Sequence, residues 1–450
     1  MITMLIPLVG MIRWETNETS ENITMVQWPG LIENGTMNVN VLNDMGSYFE
    51  NHFAFRNELI NIYSLLNTNL LHYSPVQKVI LGKNNWLYFK DTLDDYMGLN
   101  VLTEREIYCI TNNLELMKNY VEGKGVQFIV TIPPNKNTLY GENMPPQYLT
   151  TEQKNIDQLK KSLKEKNIQY VDLFDLFNNE EDIYYFERDS HWNNEGALLA
   201  YNSLMDEMGI QHETYENKSY EVMNDHIGDL DEMLFPRSYK KEEDHSYEKW
   251  FDFKYQNDVK DNMDNWIETF NPSGQGTLLM YRDSFGEAIL PYFANAFEYG
   301  YFSRLVPYNL TQIESLKPTS VLIERVERRL SSFAESAAII IPQPYEIMKA
   351  ESMDLHLDVD IKKEGDYINI KGTIDQNLLN DYSDIYIQVI DQNNENGSAY
   401  KAFYLLDEKG NGNGYQLYLP DIQLPDLADI QVLVYDNGHC IQIADKTIEK

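Results

Sequence analysis

Apolar and polar positions change rhythm along the chain. The first helical signal is "GSYFENHFAFRNELINIYSLLNTNLL", where apolar residues recur at i, i+3 and i+4 spacing. "KVILGKNNWLYFK" predicts a β-hairpin that turns at Gly82 to Asn85. "TERE" at Thr103 to Glu106 is a capping-box pattern. The helix it opens carries Ile107, Ile110, Leu114, Met117 and Val121 on one face and stops at Gly123 and Gly125. "VQFIVTI" predicts a buried strand closed by Pro133 and Pro134. A helix near Thr151 to Lys164, the strand "IQYVDLF" and the helix "NNEGALLAYNSLMDEMG" follow. "GTLLMYRDSFGEAILPYFANAF" is a strand, a sharp turn and a helix, and "TSVLIERVERRL" supplies the last strand of this unit. Strands alternating with helices predict an α/β domain with a mainly parallel sheet covered on both faces.

Two stretches break that rhythm. Residues 213 to 275 are acidic, aromatic and rich in Lys, and such an insertion in an α/β domain serves as a lid or groove wall. Beyond Pro344 the period becomes two. "LHLDVDI", "DYINIKGTI", "DIYIQVID", "AYKAFYLLD", "YQLYLPDI" and "DIQVLVYD" are short alternating strands separated by Gly, Asn and Asp, which predicts a C-terminal all-β sandwich. The expected division is therefore 1–44, 45–340 with an insertion at 213–275, and 345–450. The N-terminal "MITMLIPLVGMIRW" has about twelve near-apolar residues, short of the roughly 20 that span a bilayer. It has no basic n-region or A-x-A cleavage site. It is either a truncated membrane anchor followed by an Asn/Thr/Glu-rich linker, the favoured reading, or a buried or surface segment.

Composition narrows the partners. Lys and Arg number 36 against 71 Asp and Glu, a formal charge of −35. That field repels phosphate backbones, so nucleic acid is not an expected partner, and an anionic membrane surface is a poor one. A hydrophobic share of 43% and an aromatic share of 12% exclude a disordered chain. The 32 Tyr residues suit extended polar ligands such as glycans, and equally suit ordinary cores. Cys109 and Cys440 are far apart, without metal or redox spacing; Cys109 lies in a helical pattern and is expected to pack as a small hydrophobe.

Candidate chemistry lies in two segments. In "RDSHWNNEGA", Asp189 and His191 stand just ahead of a helix start, so the carboxylate can orient the imidazole. In "MYRDSFGEA", Ser284 lies at a strand-to-helix turn that exposes its hydroxyl at the carboxyl end of the sheet, where backbone N–H groups after it can stabilise an oxyanion. A serine needs a positioned base, and His191 is the candidate. Each motif also has a plainer reading. Asp-x-His before a helix serves capping and polar packing, and Ser284 or Asp283 can cap the following helix. A metal at Asp189 and His191 is a weaker option, since no further ligand falls in a recognised spacing. In "IPPNKNTLY", Asn135 or Asn137 could donate to the oxyanion, Lys136 could meet an acidic sugar or acyl oxygen, and Tyr140 could stack or donate; the alternative is a Pro-terminated surface turn. Trp192 either faces a sugar or packs the loop. Arg282 either acts near the serine or pairs with Glu287, and Arg328 either approaches the site or pairs with Glu324. No phosphate-cradling Gly-rich loop and no other cofactor motif is visible.

"RDSHWNNEGA" resembles the Asp-x-His-Trp block of the alginate O-acetyltransferase (AlgX/AlgJ-like) family and the related DHHW proteins, which carry an SGNH-hydrolase-like domain. As in that family, Asp189 and His191 precede Ser284 in the chain. "FAFRNELINIYS", "KVILGKNNWLYF", "IPPNKNTLYGENMP", "HIGDLDEML" and "VLIERVERRL" are similar too, so the resemblance runs from about residue 45 to 335. Ser190 stands where the family often has a first His of the pair, and Arg282 where it has Gly before Asp-Ser. The resemblance implies an extracytoplasmic, membrane-tethered polysaccharide O-acetyltransferase. It would work through acetyl-Ser284, with His191 as base, Asp189 behind it, and a membrane-bound O-acyltransferase as acetyl donor. The β-sandwich is similar in architecture to the carbohydrate-binding module of some members. A carbohydrate acetylesterase with the same triad is the alternative enzyme. A non-catalytic glycan-binding or assembly protein is the alternative of another class. The oligomeric state is not legible.

Overall fold

Strand propensity and helical stripes build layers where the periodicity puts them. The computed structural model describes residues 26–449 apart from 34–35, 53, 152–153, 238, 354–358, 395 and 408–409. The expected anchor falls on residues 1–25, and most of "LHLDVDI" falls on 354–358, outside the described residues. Among the described residues no helix is long and apolar enough to cross a membrane.

The elements that bear on the site are, in chain order, helices α1 (Val41–His52) and α2 (Arg56–Leu66), the hairpin β1 (Val79–Leu81) and β2 (Leu87–Phe89), α3 (Glu104–Glu122), β3 (Gln127–Thr131), α4 (Asn155–Glu165), β4 (Gln169–Val171), α5 (Asn194–Met208), the hairpin β5 (Glu221–Ile227) and β6 (Lys241–Ser246), β7 (Lys254–Tyr255), β8 (Trp266–Phe270), β9 (Thr277–Tyr281), α6 (Gly286–Ala296), β10 (Tyr299–Ser303) and β11 (Ser320–Glu324). The main sheet has the order β4-β3-β11-β9-β10-β8-β7. Its first five strands run parallel; β8 and β7 are antiparallel additions at one edge.

Because successive side chains alternate across a strand, both faces are apolar and each meets helices. Phe128, Val130, Leu279, Tyr281, Val321 and Ile323 pack with the α3 and α4 residues Ile110, Leu114 and Leu159. Ile129, Leu278, Met280 and Leu322 meet Ala197, Leu204, Ile289 and Phe293 of α5 and α6 on the other face. The capping box at α3 forms in both directions between Thr103 and Glu106. The β1–β2 turn uses Asn84 and Asn85 at positive φ.

Several elements differ from the sequence expectation. "IQYVDLF" is a strand only to Val171; Asp172 then accepts from the N–H groups of Phe174 and Asp175 and starts a short helix, Leu173–Asn178. Residues 213–275 are not wholly an excursion. Their first half is the β5–β6 hairpin, with a short helix (Asp229–Leu234) between its strands, while β7 and β8 extend the main sheet. The stripe on α2 forms, yet Leu59, Ile62, Tyr63 and Leu66 remain exposed, so this helix is not buried on every apolar position.

The C-terminal region is a β-sandwich. One sheet orders Glu351–Ser352, His439–Glu449, Leu427–Asp436, Asp384–Asp391 and Asn396–Lys401; the other orders Asp360–Glu364, Tyr367–Thr373, Gly414–Pro420 and Phe403–Leu405. Its core joins that of the α/β unit through α3. Asn113 on α3 donates to the carbonyls of Phe333 and Tyr404 and accepts from Tyr404 N–H, and Arg105 donates to the carbonyls of Gly412 and Ser383. Cys109 is buried in this seam.

Candidate active site

The β9–α6 turn is tight enough that a Cβ on Gly286 would lie 2.6 Å from the Arg282 side chain. Asp283 takes the capping part: its carboxylate accepts from Phe285 N–H and Val326 N–H, each at 2.9 Å. Ser284 is left to face outward. Its Oγ is 2.9 Å from His191 Nε2, and His191 Nδ1 is 2.7 Å from Asp189 Oδ1. With Nδ1–H donating to the carboxylate, Nε2 presents its lone pair to the serine hydroxyl, an assignment that follows from the partners.

A hydrogen bond from Trp192 also ties the histidine loop to the serine turn. The Trp192 indole N–H donates to Phe285 C=O at 3.1 Å, and Trp192 itself is buried. Asn193 then caps α5 by accepting from Gly196 N–H. Asp189 accepts from His191 N–H, His226 Nε2 and Asp229 N–H as well as from His191 Nδ1.

The sequence reading quoted "HIGDLDEML" without assigning roles within it, and three of its residues build the site. His226 stacks on Phe186 with 3.7 Å between ring centroids and reaches Asp189 Oδ2 at 3.1 Å. Gly228 lets the β5 end touch the loop; a Cβ there would lie 2.3 Å from Arg188 O. Asp229 accepts from Ser190 N–H and Oγ–H and lies 3.7 Å from His191 Nδ1. The signal that could have found them is an acidic and a His residue flanking Gly, at the end of a strand in a segment already expected to wall the site.

Charges are set by burial working against partners. Burial favours the neutral carboxyl of Asp189, but His191 and His226 outweigh it and hold the group well below the ordinary range. Burial likewise disfavours the His191 cation, yet the Asp189 carboxylate lifts its pKa above the ordinary value. His226 is raised by the same balance. Asp229 is raised by burial and by the Asp189 charge. Ligand atoms of Asp189, His191 and Asp229 lie within 4.8 Å of one another, close enough to surround a cation. Their hydrogen bonds to His191, His226 and Ser190 already use the oxygens such a site would offer.

The five expected substrate contacts have supporting places instead. Lys136 is buried, and its ammonium donates to the carbonyls of Phe186, Glu187 and Asp189, at 3.1, 3.0 and 2.5 Å. Burial pushes its pKa down to about 8. Asn135 Nδ2 goes to Asp95, and Asn137 Nδ2 to Thr92 C=O, so neither side-chain donor is idle. Tyr140 accepts from Tyr184 N–H through its hydroxyl oxygen. Arg282 is fully buried and hydrogen-bonds the carbonyls of Asn262 and Asp264 behind the turn; among the described residues it makes no ion pair with Glu287. Trp192 packs the loop. Arg328 pairs with no carboxylate: its guanidinium lies over the rings of Phe89 and Phe285. Phe285 N–H, the first donor after Ser284, is spent on Asp283.

Residues 79–269 match the family model of the SGNH hydrolase-like domain of acetyltransferase AlgX. Over these residues the chain is similar to that domain. The matched span holds Asp189 and His191 and ends before Ser284. No curated protein matches the chain. Among solved structures it is similar to Bacillus cereus PatB1 carrying a sulfonyl adduct, at 19% identity and TM-score 0.46, over 56% of this chain and 97% of that one. A DHHW family protein from Eubacterium siraeum matches at 14% identity and TM-score 0.41, over 55% and 89%. Pseudomonas aeruginosa AlgX matches at 14% and 0.39, over 82% and 94%.

Proposed function

We propose that the protein is an extracytoplasmic polysaccharide O-acetyltransferase that works through an acetyl-Ser284 intermediate. The observation that carries this reading is the continuous line Asp189–His191–Ser284, at 2.7 and 2.9 Å. The AlgX-like match supports the acyl group as acetyl and the acceptor as a polysaccharide.

Ser284 Oγ attacks the acetyl carbonyl carbon while its proton moves to His191 Nε2, and the imidazolium gives that proton to the departing oxygen. A sugar hydroxyl then yields its proton to the same nitrogen and attacks the acyl carbon; the acyl–serine bond breaks and Ser284 Oγ takes that proton back from His191. Asp189 stabilises the imidazolium in both halves, and His226 and Asp229 hold Asp189 and the loop. The donor we propose is a membrane-bound O-acyltransferase. At the start of α5, a groove of about 530 Å³ is lined by Tyr184, Asn193, Glu195, Tyr220, His245 and Tyr247 among others. We propose it as the wall that seats the acceptor and excludes water. The sandwich, residues 345–450, is proposed as a second sugar-contacting unit.

The test is intact mass of the purified chain after a chromogenic acetyl ester, with and without acceptor oligosaccharides. A serine-borne acetyl group that Ser284→Ala lacks, and that an acceptor collects, supports the transferase. An adduct cleared by water alone makes the protein a carbohydrate acetylesterase. A folded chain that never acylates returns it to glycan binding or assembly.

A further inference from the structure

Among the described residues four arginines are buried around the core, and Arg328 is partly buried beside them. Arg105, Arg188, Arg282 and Arg325 each donate at least two hydrogen bonds to carbonyl, carboxylate or hydroxyl oxygens. Arg328 is the exception. Its Nη1 is buried and has no partner among the described residues, and its guanidinium is held only by the rings of Phe89 and Phe285, at 5.4 and 5.5 Å. An orphaned cationic donor is costly to keep unless something anionic visits it.

Its position says where that visitor would be. Phe285 follows the nucleophile in sequence, and its ring also lies 4.9 Å from the His191 ring, so Arg328 and His191 flank one side chain. The Arg328 charge opposes protonation of His191, which requires proximity. Three other expected donors are engaged elsewhere: Phe285 N–H on Asp283, Asn135 Nδ2 on Asp95, Asn137 Nδ2 on Thr92.

We propose that Arg328 is the anion contact of this site and binds the carbonyl oxygen of the acyl group as it becomes an oxyanion. This rests on the serine acyl-transfer reading above. When Ser284 Oγ bonds to the carbonyl carbon, the C=O π pair moves onto oxygen and the serine proton passes to His191. The new oxyanion accepts from an accessible N–H of the Arg328 guanidinium. Collapse restores the C=O bond and expels the departing oxygen, which takes the proton back from His191. A preorganised cation is worth most here because it needs no rearrangement as charge develops.

Acylation of the full chain by a chromogenic acetyl ester tests this, with Arg328→Gln, Arg328→Lys and Arg328→Ala beside wild type and thermal melting as a check on folding. Arg328→Gln is expected to lower kcat by about 10²–10³-fold with KM changed less than about twofold. Arg328→Lys regains part of the loss, and a few millimolar guanidinium ion partly rescues Arg328→Ala. If Arg328→Gln acylates within about threefold of wild type, loses only through KM, or falls with neither Lys nor guanidinium rescue, the assignment is overturned while the acyltransferase reading stands. If wild type itself never acylates, the reading beneath it fails and takes this assignment with it.

Discussion

Two buried polar regions of the molecule treat their donors differently. In the seam between α3 and the β-sandwich, Asn113 makes three backbone bonds and Tyr108 and Tyr404 share Asp384 with Lys401, while one nitrogen of Arg105 and the Tyr120 hydroxyl are without a partner among the described residues. At the carboxyl ends of the strands, Asp189 is saturated, but among the described residues His191 and Ser284 meet only each other on their outer side, and Arg328 makes no hydrogen bond. A polar cluster that pairs most of its groups internally fastens two units together. One that keeps a hydroxyl, an imidazole face and a cation in reserve has room for a reacting molecule.

The sharpest way to break this contrast is to cut the reserve. Ser284→Ala and His191→Ala should each lower acyl transfer by about 10³-fold or more, with the melting temperature nearly unchanged. Comparable stability losses in these variants would show the region to be structural. The seam should respond the other way. Asn113→Leu strands two carbonyls and an N–H, so denaturant unfolding should show a loss of about 2–4 kcal/mol, while activity per folded molecule holds.

Proton linkage separates the regions more finely. His191 must be neutral to act as a base, and its pKa is raised, so the rate should fall on acidification with a midpoint above the ordinary imidazole value of about 6.5. The same shift stabilises the fold fully below that ordinary value, and the contribution fades as pH rises through the raised pKa. Rate and this stability contribution therefore run in opposite directions with pH. His226→Leu removes a donor and a partial positive charge from Asp189, which should move the acid limb of the rate upward and cost about tenfold at pH 7; a limb that stays in place would remove His226 from the electrostatics of the site. The smallest effect belongs to the seam's helix. Thr103→Ala deletes half of a capping box and should cost about 1 kcal/mol in denaturant unfolding, with kcat untouched.

Much of this was legible in the chain. Period-two runs such as "DIYIQVID" and caps such as Thr103 to Glu106 rest on local physics, and they formed where expected. The pairing of His191 with Ser284 was legible only because both motifs flank predicted helix starts at strand ends. The final strand, His439–Glu449, was missed although Asn437–Gly438, both at positive φ, form a typical hairpin turn before it. The roles of Lys136, Asn135, Tyr140 and Arg282 were not legible. A Lys that serves three carbonyls and a Lys that awaits a sugar have the same sequence context; only the fold decides which oxygen is nearest. The same is true of Arg328, whose neighbour Glu324 proved to hold Asp283 N–H instead.

One feature of the sheet reaches beyond the site. β11 is last of the parallel strands in the chain, yet it lies between β3 and β9. On the ribosome, both of those apolar strands emerge with their central neighbour still unmade, and nearly 200 residues separate β3 from the partner it awaits. The α/β unit cannot close, nor can Arg328 arrive beside Phe285, until the chain beyond residue 320 has left the exit tunnel. Such late, long-range closure makes slow folding and exposed strand edges an intrinsic burden of this topology, and gives holdase chaperones a defined interval in which to act.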